Sequence, residues 1–364
     1  MKNFSVLPST ILRKTELERV STLLKKDGDL VVTGVPGIGR RTLIRDAANH
    51  SGIRHLEVDC LRCRSAGHFV QLLIDSINNA FSEPNEFAKI HQWILDQPQT
   101  SEQSLFAQDR LVWSAPAGKE WTLFECLLSL PQYLAESLTC RIVVVFHNFA
   151  HIRSWDRHRK WETRLLQEIQ QQSQVSYVLV AIVSEPWMDA MGLPVIFLGP
   201  LNDQDMQRWV VSKMASAGLS FDLDSQSLEM FSSYVQGHIK DAIALAQRIQ
   251  LACHVISAQT PTGVIHAHHV RSSMLALVKD IEVTFETLLL LLPPIQAKLL
   301  ESLSLDPIER PQSNAYIKKH YLSRGGSLQG ALSSLEQKGL IYGSQLGYQV
   351  SLPLFDFWIK HSQR

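Results

Sequence analysis

Asp29 to Ile44 reads DLVVTGVPGIGRRTLI, and the reading of this stretch decides the fold. Leu30 to Thr33 is a short apolar, β-branched run that predicts a strand, and Thr42 to Asn49 reads as a helix. Between them Gly34, Val35, Pro36, Gly37, Ile38 and Gly39 place three glycines and a proline in six positions. Strand, glycine-rich turn and helix in that order form a P-loop, whose consecutive backbone N–H groups make an anion nest at a helix N-terminus. Against the pattern G-x-x-x-x-G-K-[ST], Gly34 and Gly39 match, but Arg40 holds the lysine position and Arg41 the hydroxyl position. Arg40 keeps a positive charge, yet its planar fork is no substitute for a compact ammonium. Arg41 cannot ligate Mg²⁺, which takes oxygen donors. Thr42 offers a hydroxyl one residue late, turned about 100° around the helix. Residues Gly34 to Thr42 are therefore the candidate site for ATP or ADP, with weak binding and no Mg²⁺ expected.

Outward from this motif the chain alternates strands and helices. Arg54 to Cys60 predicts a strand, Ser65 to Phe81 a helix, 82–118 an insertion of loops and short helices, and Trp121 to Leu138 another helix. The most apolar strand, Arg141 to Phe146, leads to His147 and Asn148, where a P-loop NTPase places an aspartate and often a glutamate. Neither residue supplies a carboxylate for Mg²⁺ or a good general base. Because a general base alone contributes roughly 10²–10⁴-fold in rate, hydrolysis is expected to be negligible and no catalytic residue is assigned. Tyr177 to Ser184 is a further strand, with Ser184 at the place of a polar sensor residue, and Val195 to Gly199 is the last. Such apolar runs between helices predict an α/β fold with a parallel five-stranded sheet covered on both faces. The basic residues Arg153, Arg157, Arg159, Lys160 and Arg164 read as a solvated helix face rather than a contact surface for a neighbour.

Three helices follow, Leu201 to Gly218, Leu223 to Gln236 and Ile239 to Ile256, and they predict a helical lid. Pro293 to Ser304, Asn314 to His320 and Gly326 to Lys338 are three more. Leu340 to Tyr342 and Tyr348 to Val350 then flank Gly343 to Gly347 as a hairpin. Helix, helix, helix and wing predict a winged helix. Lys318, Lys319, His320, Arg324 and Lys338 surround its recognition helix and suit DNA phosphates, while a lid without DNA contact is the other reading. The expected division is 1–200, 201–285 and 286–364.

Composition bounds the remaining classes. Lys+Arg and Asp+Glu number 35 each, so a uniformly basic nucleic-acid binder is not indicated. Five cysteines and a polar N-terminal stretch point to a reducing cytoplasm. Cys60 and Cys63 read as buried thiols rather than zinc ligands, and His266, His268 and His269 as a solvated helix start without acidic or cysteine partners. The longest apolar run, Leu288 to Pro294, falls far short of the about 20 residues that span a bilayer, so no membrane role is expected.

On these residues the chain resembles the bacterial and archaeal ATPase-like proteins of the STAND/AAA+ group. Gly34 to Thr42 looks like their Walker A motif, Ile142 to Asn148 sits at their Walker B, and Gln170 to Ser184 is similar to their sensor strand. Leu12 to Leu17 resembles their Gly-Arg-x-x-Glu-Leu box, and Gln236 to Ile239 their Gly-Gly-His-Pro turn. Ser327 to Leu332, Leu335 to Ile341 and Leu352 to Ile359 look like their recognition-helix block and closing segment. The resemblance implies an ATP-dependent switch that clamps sheet, lid and winged helix. With lysine, hydroxyl, acidic pair and lid proline replaced, the expectation is a pseudo-ATPase: a regulator or adaptor that meets DNA through the winged helix or unidentified protein partners. Homo- and hetero-oligomers both remain open. The alternative is an active ATPase switch with Arg40 on the phosphates, Thr42 near Mg²⁺ and Glu185 as the acid.

Overall fold

The computed structural model describes residues 12–97, 104–106, 111–113, 118–169, 171–257 and 263–362. The strands and helices expected from the sequence resolve into two compact units, one of Arg13–Thr33 and Arg40–Phe197, the other of Leu12, Gly34–Gly39 and the chain from Leu198 onward.

The first unit is built on a parallel sheet. In chain order it contains α1 (Lys14–Leu24), β1 (Leu30–Thr33), α2 (Arg40–His50), β2 (Arg54–Asp59), α3 (Ala66–Ala80) and α4 (Pro84–Leu95). A two-stranded antiparallel pair, β3 (Ser104–Phe106) and β4 (Leu111–Trp113), comes next. It corrects the expectation of loops and short helices alone between 82 and 118, since three-residue strands are too short to show a period. Then follow α5 (Glu120–Ser137), β5 (Ile142–His147), α6 (Lys160–Ile169), β6 (Val175–Ala181), α7 (Pro186–Ala190) and β7 (Val195–Phe197). The five strands run in the order β2-β5-β6-β1-β7, all parallel.

The central strands β1, β5 and β6 are buried along their whole length, which is why they read as unbroken apolar runs. Edge strand β2 alternates instead. Leu56 and Val58 face the core, while His55, Glu57 and Asp59 face the other way. Helix α2 buries Leu43, Ile44, Ala47 and Ala48 at helical spacing, and α3 is capped by Ser65, whose hydroxyl accepts the His68 N–H at 3.3 Å. Phe69 of α3 anchors an aromatic cluster with Phe124, Phe146, Trp155 and Trp161 at ring separations of 5.8, 6.0, 5.6 and 6.4 Å.

The second unit holds α8 (Asp203–Ala215), β8 (Ser220–Phe221), α9 (Ser227–Val235), α10 (Ile239–Ser257), β9 (Val264–Ile265) and α11 (Ala267–Leu291). The winged helix continues with α12 (Pro294–Leu305), α13 (Asn314–Lys319), α14 (Gly326–Gln337) and the closing α15 (Pro353–Ser362). A single apolar core, including Phe231, Leu245, Met274, Phe285, Leu335 and Phe355, runs through both segments. The wing is slighter than a hairpin of two strands: Ile341 pairs with Val350 and Ile308 with Tyr348 as isolated bridges, and a 3₁₀ turn at Ser344–Leu346 joins them. Among the described residues no helix is long and apolar enough to cross a membrane.

Candidate functional site

The glycine-rich turn lies between β1 and α2, and each of its glycines has a positive φ: 147° at Gly34, 86° at Gly37 and 98° at Gly39. Val35 and Ile38 are buried and Pro36 is exposed. A Cβ on Gly37 would stand 2.6 Å from His238 Nε2, so this turn admits no side chain there. His238, itself buried, bonds through Nε2 to the Pro36 carbonyl at 2.8 Å, which requires the proton on Nε2. Its Nδ1 faces Asp241, 3.3 Å from that residue's N–H and 3.1 Å from its carboxylate. The Asp241 carboxylate accepts the Leu354 N–H at 3.2 Å, at the start of α15. A hydrogen-bonded chain thus joins the turn to the winged helix. Gly237, at φ 74°, lets the preceding bend approach Leu201, where a Cβ would lie 2.2 Å from a backbone oxygen.

The residues that follow the glycines are bonded to their own unit. Arg40 donates from Nη1 to the Ala181 carbonyl at the end of β6, 2.7 Å away. Burial, with repulsion from Arg41, brings its guanidinium down to about 10. Arg41 donates from Nη2 to Asp59 at 3.1 Å, and the half-buried Thr42 heads the buried face of α2.

The end of β5 makes matching bonds. Parallel register sets Asp59 opposite His147. His147 meets Glu57 through Nε2 at 3.1 Å, and Asn148, left-handed at φ 53°, donates from Nδ2 to Asp59 at 2.9 Å. Arg45 grips Glu57 with both Nε and Nη2. Burial pushes Glu57 up, but His147 and Arg45 outweigh it and hold the carboxyl at about 2. Asp59 is likewise held below the ordinary range by Asn148, the Leu61 N–H and Arg41, against its burial. These two carboxylates were missed in the sequence because nothing in β2 announces that it lies beside β5.

Ser184 lies beyond the end of β6, which stops at Ala181, and its exposed hydroxyl approaches Met188 Sδ at 3.9 Å. Glu185 bonds to Arg153 Nη1 at 2.6 Å and Trp187 Nε1 at 3.1 Å. The basic stretch after β5 is solvated at Arg157, Arg159 and Lys160, as expected, but it is also bonded inward: Arg153 and Arg159 both bind the buried Glu162, and Arg164 binds Glu168 at 2.7 Å. Asp156 caps the same helix by accepting the N–H groups of Lys160, Trp161 and Glu162. The N-terminal box places Arg13 in the interior, with Nη1 on Glu16 at 3.2 Å.

Cys60 and Cys63 are buried free thiols. His266 does have an acidic partner, correcting the sequence reading, because the chain returns Asp222 to 2.8 Å from its Nδ1. Among the described residues no group of three or more His, Cys, Asp or Glu is arranged to hold a metal ion. In the winged helix Lys319 and His320 bind Asp306 at 2.6 and 2.8 Å, and Lys338 binds Gln296 at 2.6 Å. Lys318 and Arg324 are exposed and have no side-chain partner among the described residues.

A family described as a probable winged helix domain matches residues 283–361. No curated protein matches the chain by sequence. Among solved structures, the Walker-type ATPase paby2304 of Pyrococcus abyssi is 13% identical with a TM-score of 0.66, the match covering 96% of each chain. Cdc6p from Pyrobaculum aerophilum is 16% identical with a TM-score of 0.52, covering 100% of this chain and 98% of that one. At these identities the likeness is one of fold: a P-loop ATPase-like α/β unit followed by a winged helix.

Proposed function

We propose that this chain is a degenerate P-loop ATPase-like regulator or adaptor that binds ATP or ADP weakly or not at all, does not hydrolyse it, and acts through its winged helix. One observation carries the reading. The side chains at the phosphate and magnesium positions are bonded to their own fold: Arg40 to the Ala181 carbonyl, Arg41 and Asn148 to Asp59, and His147 to Glu57. A phosphate would have to displace an arginine from a carbonyl, and Mg²⁺ would meet the Arg41 cation in place of a hydroxyl, so the residues present do not fit that ion. The reading with relocated catalysis loses its acid, because Glu185 is engaged by Arg153.

The division into 1–200, 201–285 and 286–364 belongs to the same proposal, as do a cytoplasmic setting, assembly with itself or another protein, and contact with DNA. Lys318 and Arg324 supply the free cations for DNA, joined by Lys319 and Lys338 if their present bonds open. Titration with fluorescent ATP and ADP, with and without Mg²⁺, tests the reading. Absent or weak, Mg²⁺-independent binding is expected, and micromolar binding tightened by Mg²⁺ would overturn it. The double substitution Arg40→Lys with Arg41→Thr is expected to raise nucleotide affinity, since it restores the ammonium and the hydroxyl to an intact turn.

A further inference from the structure

Three histidines fall within four positions at the start of α11, and their rings are close: His268 and His269 stand 3.9 Å apart between centres, and His266 is 5.6 Å from each. His266 is the N-cap and His269 the third helical residue. The His269 N–H donates to the His266 carbonyl at 3.0 Å, and the His266 N–H donates back to His269 Nδ1 at 3.1 Å. The second of these is the return bond of a capping box, for which the third position ordinarily carries Glu or Gln. An imidazole serves there only while Nδ1 is bare, since a protonated nitrogen has no lone pair to accept with. The same turn ties down the chain around it. The Ile265 carbonyl of β9 accepts the Asp222 N–H at 2.9 Å, His266 Nδ1 meets the Asp222 carboxylate at 2.8 Å, and the Ala267 N–H donates to Ser225 Oγ at 3.1 Å.

We propose that this turn is a proton-operated latch: neutral His269 closes it over the start of α11 and the β8–β9 pair, and a proton on Nδ1 opens it. The proton removes the acceptor of the return bond. It also sets a cation beside the His268 ring and at the positive end of a helix of 25 residues. Burial, with the charges of His268 and His266, already holds His269 below its ordinary 6.5. The closed form is therefore fully favoured above pH 6.5 and is lost as pH falls through the lower folded value. The loop from β8 to α9 carries Asp222 and Asp224, which give no relief: Asp222 is spent on His266, and Asp224 is exposed. Further along, α11 is held independently by Phe285 on Phe355 at 5.2 Å and by Trp358 Nε1 donating to Glu282 at 3.2 Å. Opening thus stays local to the first turn and the strand before it.

Hydrogen–deuterium exchange of the full chain at pH 7.5 and pH 5.5, read by mass spectrometry and corrected for the intrinsic pH dependence of exchange, tests this in wild type, His269→Gln and His269→Glu. Losing a cap acceptor opens a helix start roughly 2- to 30-fold more often. In wild type the segment 263–270 is expected to exchange faster by that factor at pH 5.5, while 350–360 is unchanged. Gln and Glu accept through oxygen at both pH values, so each variant is expected to keep at pH 5.5 the protection it has at pH 7.5. Either variant suffices, and circular dichroism at pH 7.5 checks that it folds as wild type does. Equal protection of wild type at the two pH values overturns the proposal. So does the same acid opening in the variants, which would assign the titration to another group. Equal acceleration in 350–360 also overturns it, since that is general acid unfolding and not a local latch.

Discussion

The sheet unit and the winged helix differ in how many of their cations around the candidate sites are bonded within the chain. Around β2, β5 and α6 the arginines turn onto carboxylates of their own chain, as Arg41 does to Asp59 and Arg153 to Glu162. In the winged helix Lys318 and Arg324 project into water with no such partner among the described residues. Both regions keep the backbone of their fold, so the difference lies in what each has left for a ligand. On the function proposed above, the P-loop with its charges spent internally serves as a scaffold, and the winged helix keeps Lys318 and Arg324 to bind with.

The comparison breaks most decisively at Glu162. This carboxylate is 1% exposed and takes both Arg153 and Arg159, so Glu162→Ala strands Arg159 and leaves Arg153 with Glu185 alone. Since both arginines reach water, the expected loss is about 3 kcal/mol, the low end for breaking a buried pair, read by chemical denaturation. A change below about 0.5 kcal/mol would show these charges to be as idle as surface pairs.

Acid titration sharpens the same contrast. Glu57 is held at about 2 in the fold against an ordinary 4.5, so its pairing contributes fully above pH 4.5 and is lost as pH falls toward 2. With half-exposed Arg45 as a partner, this amounts to about 2 kcal/mol, absent in Glu57→Gln. Asp29 acts in the opposite sense. Burial raises it to about 6, despite the N–H of Tyr177, so stability rises as pH falls from 6 toward 3.8, and Asp29→Asn is expected to remove that rise. Denaturation midpoints at half-unit pH steps measure both.

Backbone geometry comes next. Gly237→Ala puts a Cβ against Leu201 at a positive φ and is expected to cost about 1–3 kcal/mol, seen as a lower melting temperature. The smallest stability effect is expected at Lys318→Ala and Arg324→Ala, within about 0.5 kcal/mol. If the winged helix meets DNA, each of these two substitutions lowers the salt slope of binding by about one in a fluorescence anisotropy titration.

Much of this was legible in the sequence. Continuous apolar runs at Leu30, Ile142 and Val175 mark strands covered on both faces, and Gly34 to Gly39 marks the turn, because burial and φ leave signatures in residue type. What escaped the sequence is pairing across the chain. Asp59 lies 89 residues from Asn148 and Asp222 44 residues from His266, and no local pattern announces that parallel register or a returning loop will join them. The β3–β4 pair and the reduced wing escaped for another reason: ladders of one to three residues are shorter than the period that would reveal them.

Three of the eight tryptophans, Trp121, Trp155 and Trp161, are grouped together, with ring separations of 5.3 and 5.5 Å from Trp161 to its two neighbours. The Lys160 ammonium sits 3.6 Å from the Trp121 ring centre. Indoles this close exchange excitation faster than they emit it, so the trio glows as a single lamp whose brightness is set by whichever ring is most strongly quenched. The sheet unit thereby carries its own optical gauge, dimming or brightening as a body when its core loosens.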